Sequence, residues 1–331
     1  MLIGLHDAER EHIKDKTFPN YALMKISAHH KARGDCVEWW EWRRKPPATD
    51  EQITITGETA KEEYCRELSA YNARFDLVYS SKVFDFTPEN PHLPQWTIKG
   101  GTGYGIMAEL PPEMDAMQCD YSVYPHCDYA IGYITRGCPN SCPWCVVPEK
   151  EGNIKPYRSW REIVRPDSNK LVLMDNNILA CEHGIHELES LIGSGYAIDL
   201  NQGMDARLFD ERIADICARL KWIRYIRFSC DDLSQFAHIR NAARLLEQHG
   251  IKNYKLFVYL LVTKDITNAA ARVAMLKTLK NVTIYAQHER NGARGIVPNR
   301  AQLEFAGRYI YGRTFRKETW AEYCEKRNLV F

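Results

Sequence analysis

The sequence is short of several things, and each absence narrows what it can be. It has no long apolar run: the longest uncharged one, Leu256 to Val262, sits between Lys255 and Lys264. That is far below the ~20 residues of a membrane-spanning helix. It has no excess of one charge, with 44 Lys and Arg against 43 Asp and Glu, net +1. The molecule as a whole therefore offers no strong field to a polyanion or a membrane, and a basic site would have to be local. No internal repeat or low-complexity tract stands out. The opening Met1-Leu2-Ile3-Gly4-Leu5 meets Asp7 and Glu9 before an apolar region of signal-peptide length develops. These absences predict a cytoplasmic protein with no membrane partner.

What is present is an ordinary globular composition over 331 residues, 45% hydrophobic and 26% charged, enough for two domains. Eleven cysteines are many. In a long chain without a secretory signal they point to metal binding, catalysis or burial rather than disulfides.

Residues 1–128 read as a small α/β unit. Leu2 to Leu5 predicts a strand, Pro19 to Arg33 a helix ending at Gly34, and Cys36–Trp42 and Leu77–Phe84 further strands. Proline and glycine accumulate over 85–128 and predict loop and linker. Gly100-Gly101-Thr102-Gly103-Tyr104-Gly105 fits neither G-x-G-x-x-G nor the Walker pattern and reads as loop. From 129 the rhythm is strand then helix: strands at 129–135, 170–174, 197–201, 223–229, 254–262 and 281–286, helices at 159–165, 184–193, 210–220, 233–249 and 267–279. Such alternation implies parallel pairing through right-handed crossovers. Fully or partly closed, it gives a TIM-like (β/α) barrel with its site at the carboxyl ends of the strands. Residues 291–331 read as a helical C-terminal extension.

Cysteines cluster once, directly after the first of those strands, in Thr135-Arg136-Gly137-Cys138-Pro139-Asn140-Ser141-Cys142-Pro143-Trp144-Cys145. Three thiolates on one tight loop can hold three irons of a [4Fe–4S] cube and leave the fourth iron open. Structural zinc usually takes four ligands in two short-spaced pairs. No second pair occurs, although Cys127 or Cys181 can supply a lone fourth ligand.

The C-x3-C-x2-C loop after a strand, with the alternation over roughly 129–290, resembles the radical S-adenosylmethionine (radical SAM) superfamily. The resemblance implies a partial (β/α)6 barrel with Cys138, Cys142 and Cys145 as cluster ligands. S-adenosylmethionine would chelate the open iron and be cleaved reductively to methionine and a 5′-deoxyadenosyl radical that abstracts hydrogen from a substrate. It also implies an electron donor such as flavodoxin or ferredoxin. Trp144 matches the aromatic that lies near the adenine. Met174-Asp175-Asn176-Asn177 stands where the family places a Gly-Gly-Glu-like motif for the cofactor's ammonium; Asp175, Asn176 and Asn177 can all accept such bonds. Arg207 can fork onto the cofactor carboxylate or pair structurally with Asp205. Ser229 and Asp231 are the ribose candidates. Gln287-His288-Glu289-Arg290 can touch substrate, and Cys230 is more readily a buried thiol than a hydrogen-atom donor.

The unit before the core resembles the flavodoxin-like cobalamin-binding domain of one radical SAM subfamily. The D-x-H-x-x-G motif is absent: His6-Asp7 lacks the order and the glycine, and His29-His30 lacks the aspartate. Either cobalamin binds without a protein ligand or the domain keeps the shape without the cofactor, the second being favoured. Thr135-Arg136-Gly137-Cys138-Pro139 is also similar to the methylthiotransferases, but Cys36, Cys65, Cys119 and Cys127 show no second-cluster spacing. The tail mixes Arg290, Arg294, Arg300, Arg308, Arg313, Arg316 and Lys317 with Phe305, Tyr309, Tyr311, Phe315 and Trp320. Over 290–320 that mixture suits a nucleic acid or an amphipathic helix docked on the core. The substrate reading therefore stays open between a nucleic acid or nucleotide, a peptide or small metabolite, and a non-catalytic metal scaffold.

Overall fold

The computed structural model describes residues 1–12, 18–47, 59–291 and 295–331. The chain divides into two compact units, Met1–Cys127 and Asp128–Phe331.

In the first unit the elements run β1 (Leu2–Asp7), α1 (Ala8–His12), α2 (Tyr21–Ala32), β2 (Cys36–Trp39), α3 (Ala60–Asn72), β3 (Leu77–Ser81), β4 (Ile98–Gly100) and α4 (Pro112–Asp115). Side chains start the two longer helices: Asn20 accepts from Leu23 N, and Thr59 and Glu62 form a capping box. The strands form one parallel sheet in the order β2-β1-β3-β4. This matches the first four positions of the flavodoxin-like order. Two features depart from expectation. Nothing in the local sequence pattern had marked α3. The glycine- and proline-rich stretch read as loop contains β4, which pairs Tyr79, Ser80 and Ser81 with Ile98, Lys99 and Gly100. The glycines follow from that pairing: a Cβ on Gly101 would lie 2.4 Å from the Lys82 carbonyl oxygen, and one on Gly103 2.6 Å from that of Phe84. Close backbone approach explains the motif.

The second unit runs β5 (Ala130–Gly132), β6 (Thr135–Arg136), α5 (Val147–Lys150), β7 (Lys155–Pro156), β8 (Lys170–Leu173), α6 (Glu182–Ser190), β9 (Ala197–Leu200), α7 (Glu211–Arg219), β10 (Lys221–Trp222) and β11 (Ile226–Ser229). It continues through α8 (Gln235–Gln248), β12 (Leu256–Val262), α9 (Ile266–Lys277), β13 (Thr283–His288), α10 (Arg300–Glu304) and α11 (Trp320–Lys326). Parallel pairing gives two sheets, β10-β9-β8-β5 and β11-β12-β13, with a parallel bridge between Met204 and Phe228. No pairing closes β13 onto β5 among the described residues, so the structure is an α/β fold of open parallel sheets rather than a closed barrel.

Period-two alternation fixes the two faces. Ile226, Phe228, Val258, Leu260, Ile284 and Ala286 are buried in the main core with Ile239, Ala242, Val273 and Leu276 of α8 and α9. Arg227, Ser229, Tyr259, Tyr285 and Gln287 alternate with them on the other face. The tail joins the same core through Phe305, Tyr309, Phe315 and Tyr323.

In the second unit three departures from the sequence reading stand out. The strand expected over 129–135 ends at Gly132, and Thr135–Arg136 turns into an antiparallel pair with Lys155–Pro156. The helix expected over 159–165 is one 3-10 turn, Trp160–Glu162, held by a Ser159–Glu162 capping box. Pro166 disfavours helical backbone at Arg165 and so stops it. The fourth strand is broken between Trp222 and Ile226.

Candidate active site

The cysteine loop leaves the carboxyl end of β5 and returns through α5 to β7. Its entry requires glycine: Gly137 has φ +82°, and a Cβ there would lie 2.3 Å from the Asn153 carbonyl oxygen. Both ends of the loop are tied. Cys138 N donates to the Gly152 carbonyl at 3.1 Å. Glu151 accepts from Gly137 N and from Asn176 Nδ2, each at 3.0 Å, and pairs with Arg136 Nη2 at 3.0 Å. Arg136 lies over the Tyr133 ring, 4.2 Å from its centroid.

Within the loop, Cys145 N donates to the Cys142 carbonyl at 3.0 Å, making a turn that contains Pro143 and the half-buried Trp144. Two N–H groups point at sulfur: Val147 N to Cys145 Sγ at 3.4 Å and Asn177 Nδ2 to Cys138 Sγ at 3.7 Å. Burial, then the thiols of Cys145 and Cys138, push the Cys142 thiol up, with Arg207 opposing. Burial also raises Cys145, against the Val147 N–H; Cys138, Asp231 and Glu151 add to the rise. The raised thiols of Cys142 and Cys145 relax when a cation takes the sulfurs together, which is the donor chemistry an iron–sulfur cube requires. Among the described residues no three His, Cys, Asp or Glu side chains gather as a single-ion site.

The residues after β8 do three different things. Asp175 is buried, and its carboxylate accepts from Ile134 N, Thr135 N and Thr135 Oγ1, the last at 2.7 Å. Burial pushes its carboxyl up to about 6 against those donors. Asp175 thus fastens the chain just ahead of the loop, and Asn176 joins the Glu151 latch. Asn177 is buried and shares its amide hydrogens between Cys138 Sγ and Asp205 Oδ2, while its Oδ1 has no hydrogen-bond partner. A buried acceptor left open beside a cysteine sulfur is costly unless a ligand donor meets it.

Arg207 is forked onto Asp205 (Nε to Oδ1 2.8 Å, Nη2 to Oδ2 2.7 Å), the structural alternative of the two readings. Burial opposes ionisation of Asp205, yet Arg207 and Asn140 outweigh it and hold the carboxyl below its usual range. Asp231, at the end of β11, accepts from Leu261 N at 3.2 Å, and burial pushes its carboxyl up to about 6. Its charge acts on both Cys142 and Cys145, so it belongs to the same neighbourhood. Ser229 is half-buried on the non-helical sheet face. Cys230 is fully buried with its thiol raised to about 12 by burial, which makes it inert. Burial and then Arg290 lower the His288 pKa.

Sequence reasoning missed Glu151, Asn140 and Arg272. Arg272 of α9 is fully buried and donates to the carbonyls of Cys230 and Leu261 and, at 2.8 Å, to Asn268 Oδ1. It binds together the carboxyl ends of β11 and β12, next to Asp231. None carries a local spacing signal, because each acts on residues distant in the chain.

In the first unit the carboxyl ends of β1 and β3 form a buried polar chain. His6 Nδ1 and Ser80 Oγ are 2.7 Å apart, as are Ser80 Oγ and Tyr104 OH, and His6 Nε2 lies 3.3 Å from Glu11 Oε2. His30 is engaged by Asp35 at 2.8 Å and by Tyr79 OH at 3.1 Å. His30 thus has protein partners on both ring nitrogens, whereas the buried His6 Nε2 has the Glu11 carboxylate within ion-pair distance but no hydrogen bond among the described residues.

No family model matches the chain, and no curated protein matches it by sequence. Among solved structures it is similar to the cobalamin-dependent S-adenosylmethionine radical enzyme OxsB, determined with aqua-cobalamin and S-adenosylmethionine bound. The TM-score is 0.50 at 12% identity, covering 96% of this chain and 56% of that one. The chain thus spans just over half of that neighbour's length, and the likeness is one of fold. No helix among the described residues is long and apolar enough to cross a membrane.

Proposed function

We propose that the chain is a radical SAM enzyme in which Cys138, Cys142 and Cys145 hold a [4Fe–4S] cluster. The observation that carries this reading is the loop itself: three cysteines at the carboxyl end of the first core strand, two N–H donors aimed at their sulfurs, and the open buried acceptor Asn177 Oδ1 beside them. The neighbour's fold supports it. So does the strand order, which we read as an open (β/α)6 arc: β10 pairs with β9, the chain runs on into β11, and the Met204–Phe228 bridge spans the two sheets.

When bound, the cluster and S-adenosylmethionine supply a carbon radical able to abstract hydrogen from an unactivated C–H bond. The protein's part is placement. Asn177 Oδ1 would accept from the cofactor's ammonium. Asp231 and Ser229 would serve its ribose and Trp144 its adenine, while Arg207, whose fork Asp205 already engages, would act on its carboxylate through its charge. Asp175, Asn176 and Glu151 hold the loop that carries the cysteines. An electron donor such as flavodoxin or ferredoxin would supply the cluster's electron. The absent D-x-H-x-x-G motif and the engagement of both His30 ring nitrogens favour a domain of cobalamin-binding shape that works without cobalamin. A peptide or small-metabolite substrate is the alternative to the class argued below.

Anaerobic reconstitution with iron and sulfide, then reduction in the presence of S-adenosylmethionine, tests the reading. Expected are a cluster signal and 5′-deoxyadenosine from the native chain, and neither from Cys138→Ala. An intact cluster that yields no 5′-deoxyadenosine, or zinc held by the three cysteines, overturns it.

A further inference from the structure

The non-helical face of the second sheet carries a line of rings. Tyr259 and Tyr285 face each other across the β12–β13 register, with centroids 5.9 Å apart. Tyr285 and Tyr311, the latter from the tail, follow at 5.2 Å. Each end of the line is pinned by its hydroxyl: Tyr259 donates to the Asn201 carbonyl at 2.7 Å, and Tyr311 donates to the Ala286 carbonyl. The rings are held, yet Tyr285 is 40% and Tyr311 47% exposed. Held ring surface left open to solvent costs the fold apolar exposure and returns nothing to its core.

Charge completes the pattern immediately after Tyr311. Residues 300–331 carry seven Lys and Arg against four Glu. Three of those four are engaged within the tail: Glu304 with Arg308 and Tyr323 OH, Glu318 with Lys326 and Arg327, and Glu322 in the cap of α11. Arg313, Arg316 and Lys317 are exposed and have no carboxylate partner among the described residues. Arg294 lies outside the described residues. The molecule is near neutral, so this is a local basic segment joined to an aromatic track.

We infer that Tyr285 and Tyr311 stack the bases of a single-stranded nucleic acid whose phosphates Arg313, Arg316 and Lys317 neutralise, and that this strand is the substrate class of the enzyme proposed above. The inference rests on that reading for its catalytic meaning and on the track and charges alone for binding. Exposed ring surface can stack any unpaired base, whereas a duplex hides its bases and leaves only phosphates to contact. Guanidinium and ammonium groups supply the sequence-independent part.

Fluorescence anisotropy on the full chain, with single-stranded RNA, single-stranded DNA and duplex of the same mixed sequence, tests it. No cofactor or reductant is added, so failure of binding and failure of 5′-deoxyadenosine formation are read separately. Single strands bind more tightly than duplex, and the RNA and DNA arms show which sugar is preferred. Tyr285→Ala and Tyr311→Ala each weaken binding roughly 5- to 150-fold, and Tyr285→Phe restores it. Arg313→Ala, Arg316→Ala and Lys317→Ala each shallow the log–log salt slope by about 0.7. These exposed positions keep the test decisive if a tyrosine variant folds poorly. Duplex bound as tightly as single strand, polyglutamate competing as well as RNA, or a salt slope unmoved by all three charge variants overturns the inference.

Discussion

Glu151 offers the sharpest test of how the loop is built. Its side chain is 6% exposed, and its carboxylate makes an ion pair with Arg136 and accepts from Gly137 N and Asn176 Nδ2. Glu151→Ala removes all three. A hydrogen bond to a charged group contributes about 1.5–3 kcal/mol, and breaking a buried pair costs about 3–5 kcal/mol because the partner stays charged. Arg136 keeps the Tyr133 face, which lowers the second figure. The loop-closing equilibrium should therefore lose about 3 kcal/mol, roughly a 100-fold change. Glu151→Gln keeps an acceptor and should lose about half of that. Hydrogen exchange on the metal-free chain reads this as faster opening at Gly137 and Cys138, with the rest of the second unit unchanged. Iron per chain after anaerobic reconstitution should fall in the same order: native, Gln, Ala. If the alanine variant exchanges these amides at the native rate and takes up the full iron complement, the latch has no role in presenting the cysteines.

Arg272→Leu strands the Cys230 and Leu261 carbonyls at the ends of β11 and β12. Each unpaired buried acceptor costs about 1–3 kcal/mol, partly offset by removal of a buried charge. A net loss of about 3 kcal/mol should lower Tm by about 6–12 °C; a Tm equal to or above the native one refutes it. The Asp231 carboxyl is raised by burial to about 6. A raised folded value means the fold binds the extra proton, so this group's destabilisation grows as pH rises from about 4 to about 6 and is constant above. The stability of Asp231→Asn relative to the metal-free native chain should therefore improve over that window by on the order of 3 kcal/mol. A pH-independent difference in denaturant unfolding counts against it.

Legibility followed the range over which each feature is enforced. The cysteine spacing, the glycine ahead of it and the strand–helix rhythm of 129–290 are local, so a reader of the chain alone finds them. Which face of β12 and β13 meets the helices and which stays open came only with the structure. β4 was hidden because Ile98–Gly100 has little β character of its own and exists as a partner for Tyr79–Ser81. The expected helix after Ser159 shrank to one turn because a cap starts a helix but a following proline limits it. Asp175 read as a cofactor acceptor, yet its oxygens are spent on Ile134 and Thr135, forty residues earlier.

By itself, then, the sequence determined which sulfurs share a loop and which strands and helices alternate, since three to seven residues of spacing suffice for both. Only the tertiary structure decided what surrounds the sulfurs. Glu151 reaching Asn176, Arg272 crossing to β11 and β12, and Tyr311 completing a ring line begun on β12 join residues whose distance along the chain carries no periodic signal. Those meetings are set by packing of the whole unit, because a buried charge or an exposed ring acquires its meaning from neighbours that the fold alone brings within reach.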